Sequence, residues 1–334
     1  MDRSVRSVHG CRGRPGKRVS PGGGESGEAK EGAAADQAIQ QANSKTKSRR
    51  ELARHDQFDE VSPEVGQIDE VAFDDAMAHD PDAALAMLAD MTGATDEVLR
   101  ALARRLAGSI MVDLGRQGRT RQRGIATLVS QPFRPDVGDL DLDASLGALI
   151  TARATRTAVD VDELRVSGWM RPATAYCLLV DRSGSMTGTP LATSAVAAAA
   201  VAHRAADFSV VAFAEDAVVA KSQDSDKAAE RVVTDVLTLR GFGTTNVALA
   251  LRTAQIQLSR SRASRKITVL LSDCRSTAKG DMNAAAAGLD ELVIIAPAGD
   301  ADDAFAFGMA VGARVVTVSG PSHIPEALAA ALDH

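Results

Sequence analysis

The apolar positions change rhythm near residue 173. Downstream, short Val/Ile/Leu runs alternate with Ala-rich stretches of helical period, the pattern of a parallel sheet covered on both faces. Six strands are predicted, at 174–180, 208–214, 217–221, 267–272, 292–296 and 314–318. Helices are predicted at 190–206, 226–238, 246–260, 281–289, 301–311 and 323–333, with Thr189 and Pro190 as cap and first-turn proline of the first. The link Ala214-Glu215-Asp216 is too short for a parallel crossover, so 217–221 is expected as an antiparallel edge strand. The fold class is therefore α/β, a doubly wound and mostly parallel six-stranded sheet.

Upstream, the period is helical. Asp80-Pro81-Asp82 is a helix start followed by Leu85, Leu88 and Met91 on one face. A second helix begins at Thr95-Asp96-Glu97 and carries Val98, Leu99, Leu102, Leu106 and Ile110 at spacings of three and four. A third covers about 143–158, and the basic loop Arg116, Arg119, Arg121 and Arg123 interrupts the set. Residues 55–80 read as a loosely packed lead-in with scattered Phe58, Val61, Ile68, Val71 and Phe73. Residues 1–54 show no apolar period and contain the breaker run Pro21-Gly22-Gly23-Gly24, so a disordered basic tail is expected there. The expected division is a tail at 1–54, a mainly helical region at 55–170 and an α/β domain at 171–334.

Charge and composition narrow the partners. Residues 1–50 carry 11 Lys/Arg against 5 Asp/Glu, a net +6, which leaves −12 for the remainder of a chain whose total is −6. An acidic body argues against duplex nucleic acid, whose phosphates must be neutralised by Lys and Arg. Cys11, Cys177 and Cys274 have no metal spacing and cannot all pair, which suits a reducing compartment. No run approaches the ~20 apolar residues of a membrane helix, and no secretory h-region opens the chain, so the cytoplasm is the expected location.

The chemistry concentrates after the first strand. Asp181-Arg182-Ser183-Gly184-Ser185 sets three oxygen ligands at alternate positions of one tight loop, a donor set suited to a hard divalent cation such as Mg²⁺. In open α/β sheets, ligands gather beyond the carboxyl ends of strands, and two more oxygen donors fall there. One lies in Gly241-Phe242-Gly243-Thr244-Thr245-Asn246; the other, Asp273, follows Leu270-Leu271-Ser272. If the strands at 174 and 267 are neighbours, Asp181 and Asp273 approach each other.

With these residues in view, 173–334 resembles a von Willebrand factor A domain with a Rossmann-like sheet. Asp181, Ser183 and Ser185 match the D-x-S-x-S of the family's metal-ion-dependent adhesion site, and Thr245-Asn246 with Ala250-Leu251 matches its T-N/D-x-x-x-A-L pattern. Asp273 matches the aspartate of its T-D-G triplet, with Cys274 where the family has glycine. The resemblance implies a metal set of Asp181, Ser183, Ser185, Thr245 and Asp273 holding Mg²⁺ or Mn²⁺, and a protein partner whose Asp or Glu completes the coordination. A helical region ahead of such a domain is similar to proteins of the CoxE type and the magnesium chelatase D subunit, implying a non-enzymatic adaptor for a MoxR-type AAA+ ATPase in cofactor or metal-centre maturation.

Other readings fit less well. A divalent-metal-dependent phosphoester hydrolase is the alternative, although an aspartyl-phosphate mechanism would want an acid where Ser183 stands. The loop supplies no G-x-S-x-G elbow, and neither a P-loop nor G-x-G-x-x-G follows the first strand. An RNA-associated role would have to use the basic tail. His203 reads as a packed or partly exposed histidine of an Ala-rich helix rather than a catalytic base, and Cys274 as a small buried thiol. Asp139-Leu140-Asp141-Leu142-Asp143 opens like a calcium loop but has Ala144 where Gly is needed and Ile150 where a bidentate Glu belongs, so a helix cap is expected.

Overall fold

The computed structural model describes residues 27–117, 127–133, 139–170, 173–182, 188–239 and 243–332. A central sheet contains β1 (Ala29–Lys30), β5 (Thr174–Asp181), β6 (Phe208–Phe213), β7 (Ala217–Lys221), β8 (Arg265–Leu271), β9 (Glu291–Pro297) and β10 (Arg314–Val318), in the order β1-β7-β6-β5-β8-β9-β10. β5, β6, β8, β9 and β10 are parallel; β7 runs antiparallel to β6, as its three-residue connection requires. β5 and β8 are neighbours, with Val180 opposite Leu271, so the residues that follow each strand meet at one edge.

β5 is buried on both faces, which explains its unbroken apolar run. Tyr176, Leu178 and Val180 point into one core; Ala175, Cys177 and Leu179 point into the other. The second core is closed by α10 (Val247–Ser259), α11 (Met282–Ala286) and α12 (Asp302–Val311). The first is closed by α8 (Thr189–Arg204), α9 (Ala229–Thr238) and α13 (Ile324–Leu332).

The first core continues into the upstream helices: α1 (Ala33–Asn43), the short α2 (Arg49–Leu52) and α3 (Phe58–Val61), α4 (Glu70–His79), α5 (Pro81–Met91) and α6 (Glu97–Gln117). α8 lies between these helices and the sheet, and Ala195 to Ala200 are all buried. Small side chains let the helices approach closely. Gly115 of α6 sits so near that a Cβ there would lie 2.8 Å from the Ala200 backbone nitrogen.

That close approach corrects the expected face of α6 in part. Leu99, Ala103, Ala107 and Met111, at i+4 spacing, are buried, whereas Val98 is 59% and Leu102 39% exposed. Leu106 and Ile110 are half-buried and pack against the same core, so of the expected residues only Val98 and Leu102 face away, and the small residues Ala103 and Ala107 take the centre of the contact. The lead-in at 55–80 is also tighter than expected, since Phe58, Val61 and Phe73 are fully buried.

Other expectations are corrected too. Residues 29–54 are not a disordered tail: β1 pairs in parallel with β7, and α1 buries Ala35 and Ile39 against the first core. The sheet therefore has seven strands, and β7 is not its edge. Residues 1–26 lie outside the described residues. The region expected to be mainly helical also contains a three-stranded antiparallel sheet of β2 (Thr127–Pro132), β4 (Arg165–Met170) and β3 (Asp139–Leu140). Asp141 caps α7 (Leu142–Thr155), accepting from Ala144 N–H at 3.0 Å, as its sequence context suggested. Arg119, Arg121 and Arg123 lie outside the described residues.

Candidate metal centre

Asp181 ends β5, in register with Phe213, and the Arg182 N–H extends the ladder by donating to the Phe213 carbonyl at 2.8 Å. Ser183 and Ser185 lie outside the described residues. Gly188 has a φ of 61° and a ψ of −123°, a conformation open to glycine and strained for any residue with a Cβ. Gly188, rather than Thr189, is the residue before α8, and Thr189 is its first helical residue.

Beyond β8, Ser272 Oγ donates to Asp181 Oδ2 at 2.6 Å and accepts from Cys274 N–H at 3.0 Å. Asp273 Oδ1 accepts from Arg275 N–H at 3.0 Å. Cys274 carries the turn at φ 65°, so it adopts the backbone conformation that glycine provides more cheaply. Its thiol is pushed up to about 12 by burial and by the charges of Asp273 and Asp181, and it stays protonated. This agrees with the reading of Cys274 as an inert buried thiol.

Thr245 is 5% exposed and held by the loop that follows Asp273. Its N–H donates to Thr277 Oγ1 at 2.9 Å, and its carbonyl accepts from the Thr277 and Ala278 N–H groups, each at 3.1 Å. Asn246 N–H donates to the Ala214 carbonyl at 2.8 Å, and its side chain caps α10 by accepting from Leu249 N–H at 3.0 Å. Thr245 is thus fixed between the end of β6 and the 274–278 turn.

Asp181, Ser272 and Asp273 line a cavity of about 350 Å³, whose walls also include Pro190, Leu271, Ile295, Pro297 and Val318. Thr189, Thr193, Ser194, Ser319 and Gly320 complete the lining among the described residues; Thr245 is not part of this wall. Among the described residues no three His, Cys, Asp or Glu side chains converge as a metal cluster. A site here would therefore rest on two carboxylates plus hydroxyls, a hard-oxygen set suited to Mg²⁺ or Mn²⁺. Arg275 is turned toward the surface by Asp300 at 2.5 Å and Asp303 at 2.9 Å, which keeps a competing cation engaged elsewhere.

Two contributors escaped the sequence reading. Ser272 looked like the end of a strand; the signal was its position one residue past Leu271, the partner of Val180, which sets it beside Asp181. Asp90, in the last turn of α5, is 6% exposed and accepts from the Gly188 N–H at 2.8 Å. Lys47 Nζ lies 2.7 Å from Asp90 Oδ1, and His55 Nε2 lies 3.0 Å from Oδ2. Burial alone would raise the Asp90 pKa, but the hydrogen bonds from His55, Lys47 and Gly188 outweigh it and hold the carboxyl below its ordinary range. No local sequence pattern announces a contact spanning 98 residues.

Residues 176–276 match the family model described as von Willebrand factor type A domain. No curated protein matches the chain. Among solved structures it is similar to a von Willebrand factor type A protein from Catenulispora acidiphila, at 18% identity and TM-score 0.40, over 48% of this chain and 42% of that one. It thus spans less than half the length of that relative. It is also similar to the manganese-loaded TRAP protein of Plasmodium vivax, at 16% identity and TM-score 0.38, over 47% of this chain and 72% of that one. A third likeness is to proximal thread matrix protein 1 from the mussel byssus, with a zinc-occupied MIDAS motif, at 15% identity and TM-score 0.37, over 48% of this chain and 47% of that one.

Proposed function

We propose that the von Willebrand factor type A domain, taken as residues 171–334, is a metal-dependent protein-binding module rather than a catalyst. In this reading Asp181, Ser183, Ser185, Thr245 and Asp273 hold one Mg²⁺ or Mn²⁺. The ion, when bound, supplies a Lewis-acidic position for a carboxylate oxygen of a partner's Asp or Glu. The observation that carries the reading is the bond from Ser272 to Asp181, which braces one carboxylate of the cavity that Asp273 also lines. The chain's own groups do the positioning: Ser272 orients Asp181, Arg275 N–H orients Asp273, and the 274–278 turn fixes Thr245.

The finer proposal is that the helical region and this domain together serve as an adaptor for a MoxR-type AAA+ ATPase in cofactor or metal-centre maturation, in the cytoplasm. Among the described residues no helix is long and apolar enough to cross a membrane. Affinity capture with the wild-type chain and Asp181→Ala tests it: a AAA+ ATPase recovered only with the intact site, and only with Mg²⁺ or Mn²⁺ present, supports the adaptor. Recovery of the same partners by both proteins contradicts the metal bridge. Metal-dependent hydrolysis of a phosphoester, lost in Asp181→Ala, would instead favour the hydrolase reading.

A further inference from the structure

α7 wears its apolar residues on the outside. The residues it buries are small: Ala152, and Ser145, whose Oγ donates to the Arg165 carbonyl at 3.2 Å and accepts from the Arg165 N–H at 2.9 Å. These seat the helix on β4. Its large side chains face the other way. Leu142, Leu146 and Ile150, four residues apart, form one stripe and are 63%, 52% and 58% exposed. Single exposed leucines are ordinary, but an aligned row on a helix whose other face is already seated marks an interface. Gly147, exposed beside the stripe, has open space where a Cβ would stand, so a second helix can come close there.

Charge says which helix. Between residues 139 and 156 the acids Asp139, Asp141 and Asp143 all lie at the N-terminal end and the bases Arg153 and Arg156 at the C-terminal end. Asp143 stands three residues before Leu146, and Arg153 three residues after Ile150. Both are exposed, and among the described residues neither makes an ion pair. A second copy of α7 laid antiparallel about the level of Ala148 sets Leu146 against Ile150 of the second copy, and Asp143 against Arg153 of the second copy, twice over. The surface is thus complementary to itself under twofold symmetry, as an isologous interface requires. A lipid surface fits poorly, since an interfacial helix presents Lys and Arg to anionic headgroups, whereas this one begins with three aspartates.

We propose that the exposed face of α7 is a homodimer interface, in which two copies of the helix pack antiparallel through Leu142, Leu146 and Ile150 and are set in register by Asp143 and Arg153. A pair of 14-residue helices meets over less than the ~800 Å² per partner of a standard interface, so the dimer is weak and reversible, with a dissociation constant of about 1–100 µM. Pairing would give the assembly two α/β domains, and a partner with repeated sites would be held by both. That consequence rests on the binding-module reading; the pairing itself does not.

Sedimentation equilibrium of the full chain in EDTA, from about 1 to about 200 µM, tests the pairing without reference to any metal. The wild type is expected to pass from monomer to dimer across that range. Leu146→Glu is expected to weaken association at least tenfold. Asp143→Arg and Arg153→Asp are each expected to weaken it about as much, because each puts like charges together in its own homodimer. An equimolar mixture of these two variants is expected to associate within about threefold of wild type, since both charge pairs are complementary in the mixed dimer. The charge variants, at exposed positions, decide the question if Leu146→Glu does not fold. A wild-type chain that stays monomeric throughout, whether or not it binds anionic vesicles, overturns the proposal, as does a dimer that survives Leu146→Glu. A mixture that associates no better than either variant alone overturns the antiparallel seating.

Discussion

Ser272 Oγ donates to Asp181 Oδ2 at 2.6 Å, across the pairing of β5 and β8. A hydroxyl one residue past a strand end thus sets the orientation of a carboxylate 91 residues earlier in the chain. The same oxygen accepts from Cys274 N–H, so it also fixes the turn that carries Asp273. Ser272→Ala is expected to weaken Mn²⁺ binding by about 10- to 150-fold, since a hydrogen bond to a charged group contributes about 1.5–3 kcal/mol. Titration calorimetry on the two proteins reads this; equal affinities would show that Asp181 needs no brace.

The contact of α6 with α8 gives an opposed pair of substitutions. Gly115→Ala places a methyl 2.8 Å from the Ala200 nitrogen and is expected to cost about 1–3 kcal/mol of stability. Gly108, on the same helix, has open space where a Cβ would stand, so Gly108→Ala is expected to stabilise by about 0.5–1 kcal/mol. Urea denaturation should give opposite signs for the two variants.

Cys177 sets a pH dependence. Burial on β5 raises its thiol from 9.0 to about 12, a shift that the neighbouring Ser209 of β6 opposes only weakly. A thiol whose pKa is higher folded than unfolded contributes stability that is complete below pH 9 and is lost as pH rises toward 12, because the unfolded chain releases that proton first. The contribution is expected to fall by about 1.4 kcal/mol per pH unit in that window. Denaturation at pH 8 and pH 10.5 should show a steeper loss for wild type than for Cys177→Ala; parallel losses would mean that Cys177 ionises freely in the folded protein.

These consequences divide by how visible their causes are in the sequence. The strands of the α/β domain and the helix caps at Asp80 and Asp141 were legible because buried strands are continuous apolar runs and caps are local. Asp181 and Asp273 were legible as strand-end residues on adjacent strands. α1 was not, because AAADQAIQQAN buries only Ala35 and Ile39 and shows little apolar contrast. The two-residue β1 has no pattern of its own; it exists through pairing with Ala217 and Val218. The buried face of α6 was legible only in part: Leu99, Leu106 and Ile110 face the core as their spacing suggests, but Ala103 and Ala107 were passed over because pattern rules weight large side chains, whereas packing against an alanine-rich helix rewards small ones. Asp90 and Ser272 were invisible for a related reason: each acts across a long stretch of chain, on a partner that only the fold brings near.

The most direct test of the central claim is a Mn²⁺ titration of the full chain followed by electron paramagnetic resonance, on wild type, Asp181→Ala and Asp273→Ala. The account predicts one bound ion per wild-type chain and at least a hundredfold weaker binding in Asp181→Ala, with a clear loss in Asp273→Ala. It also predicts that a carboxylate-bearing partner peptide changes the spectrum of the bound ion. A wild-type chain that binds no ion, or an Asp181→Ala chain that binds it equally well, would contradict the metal-dependent reading.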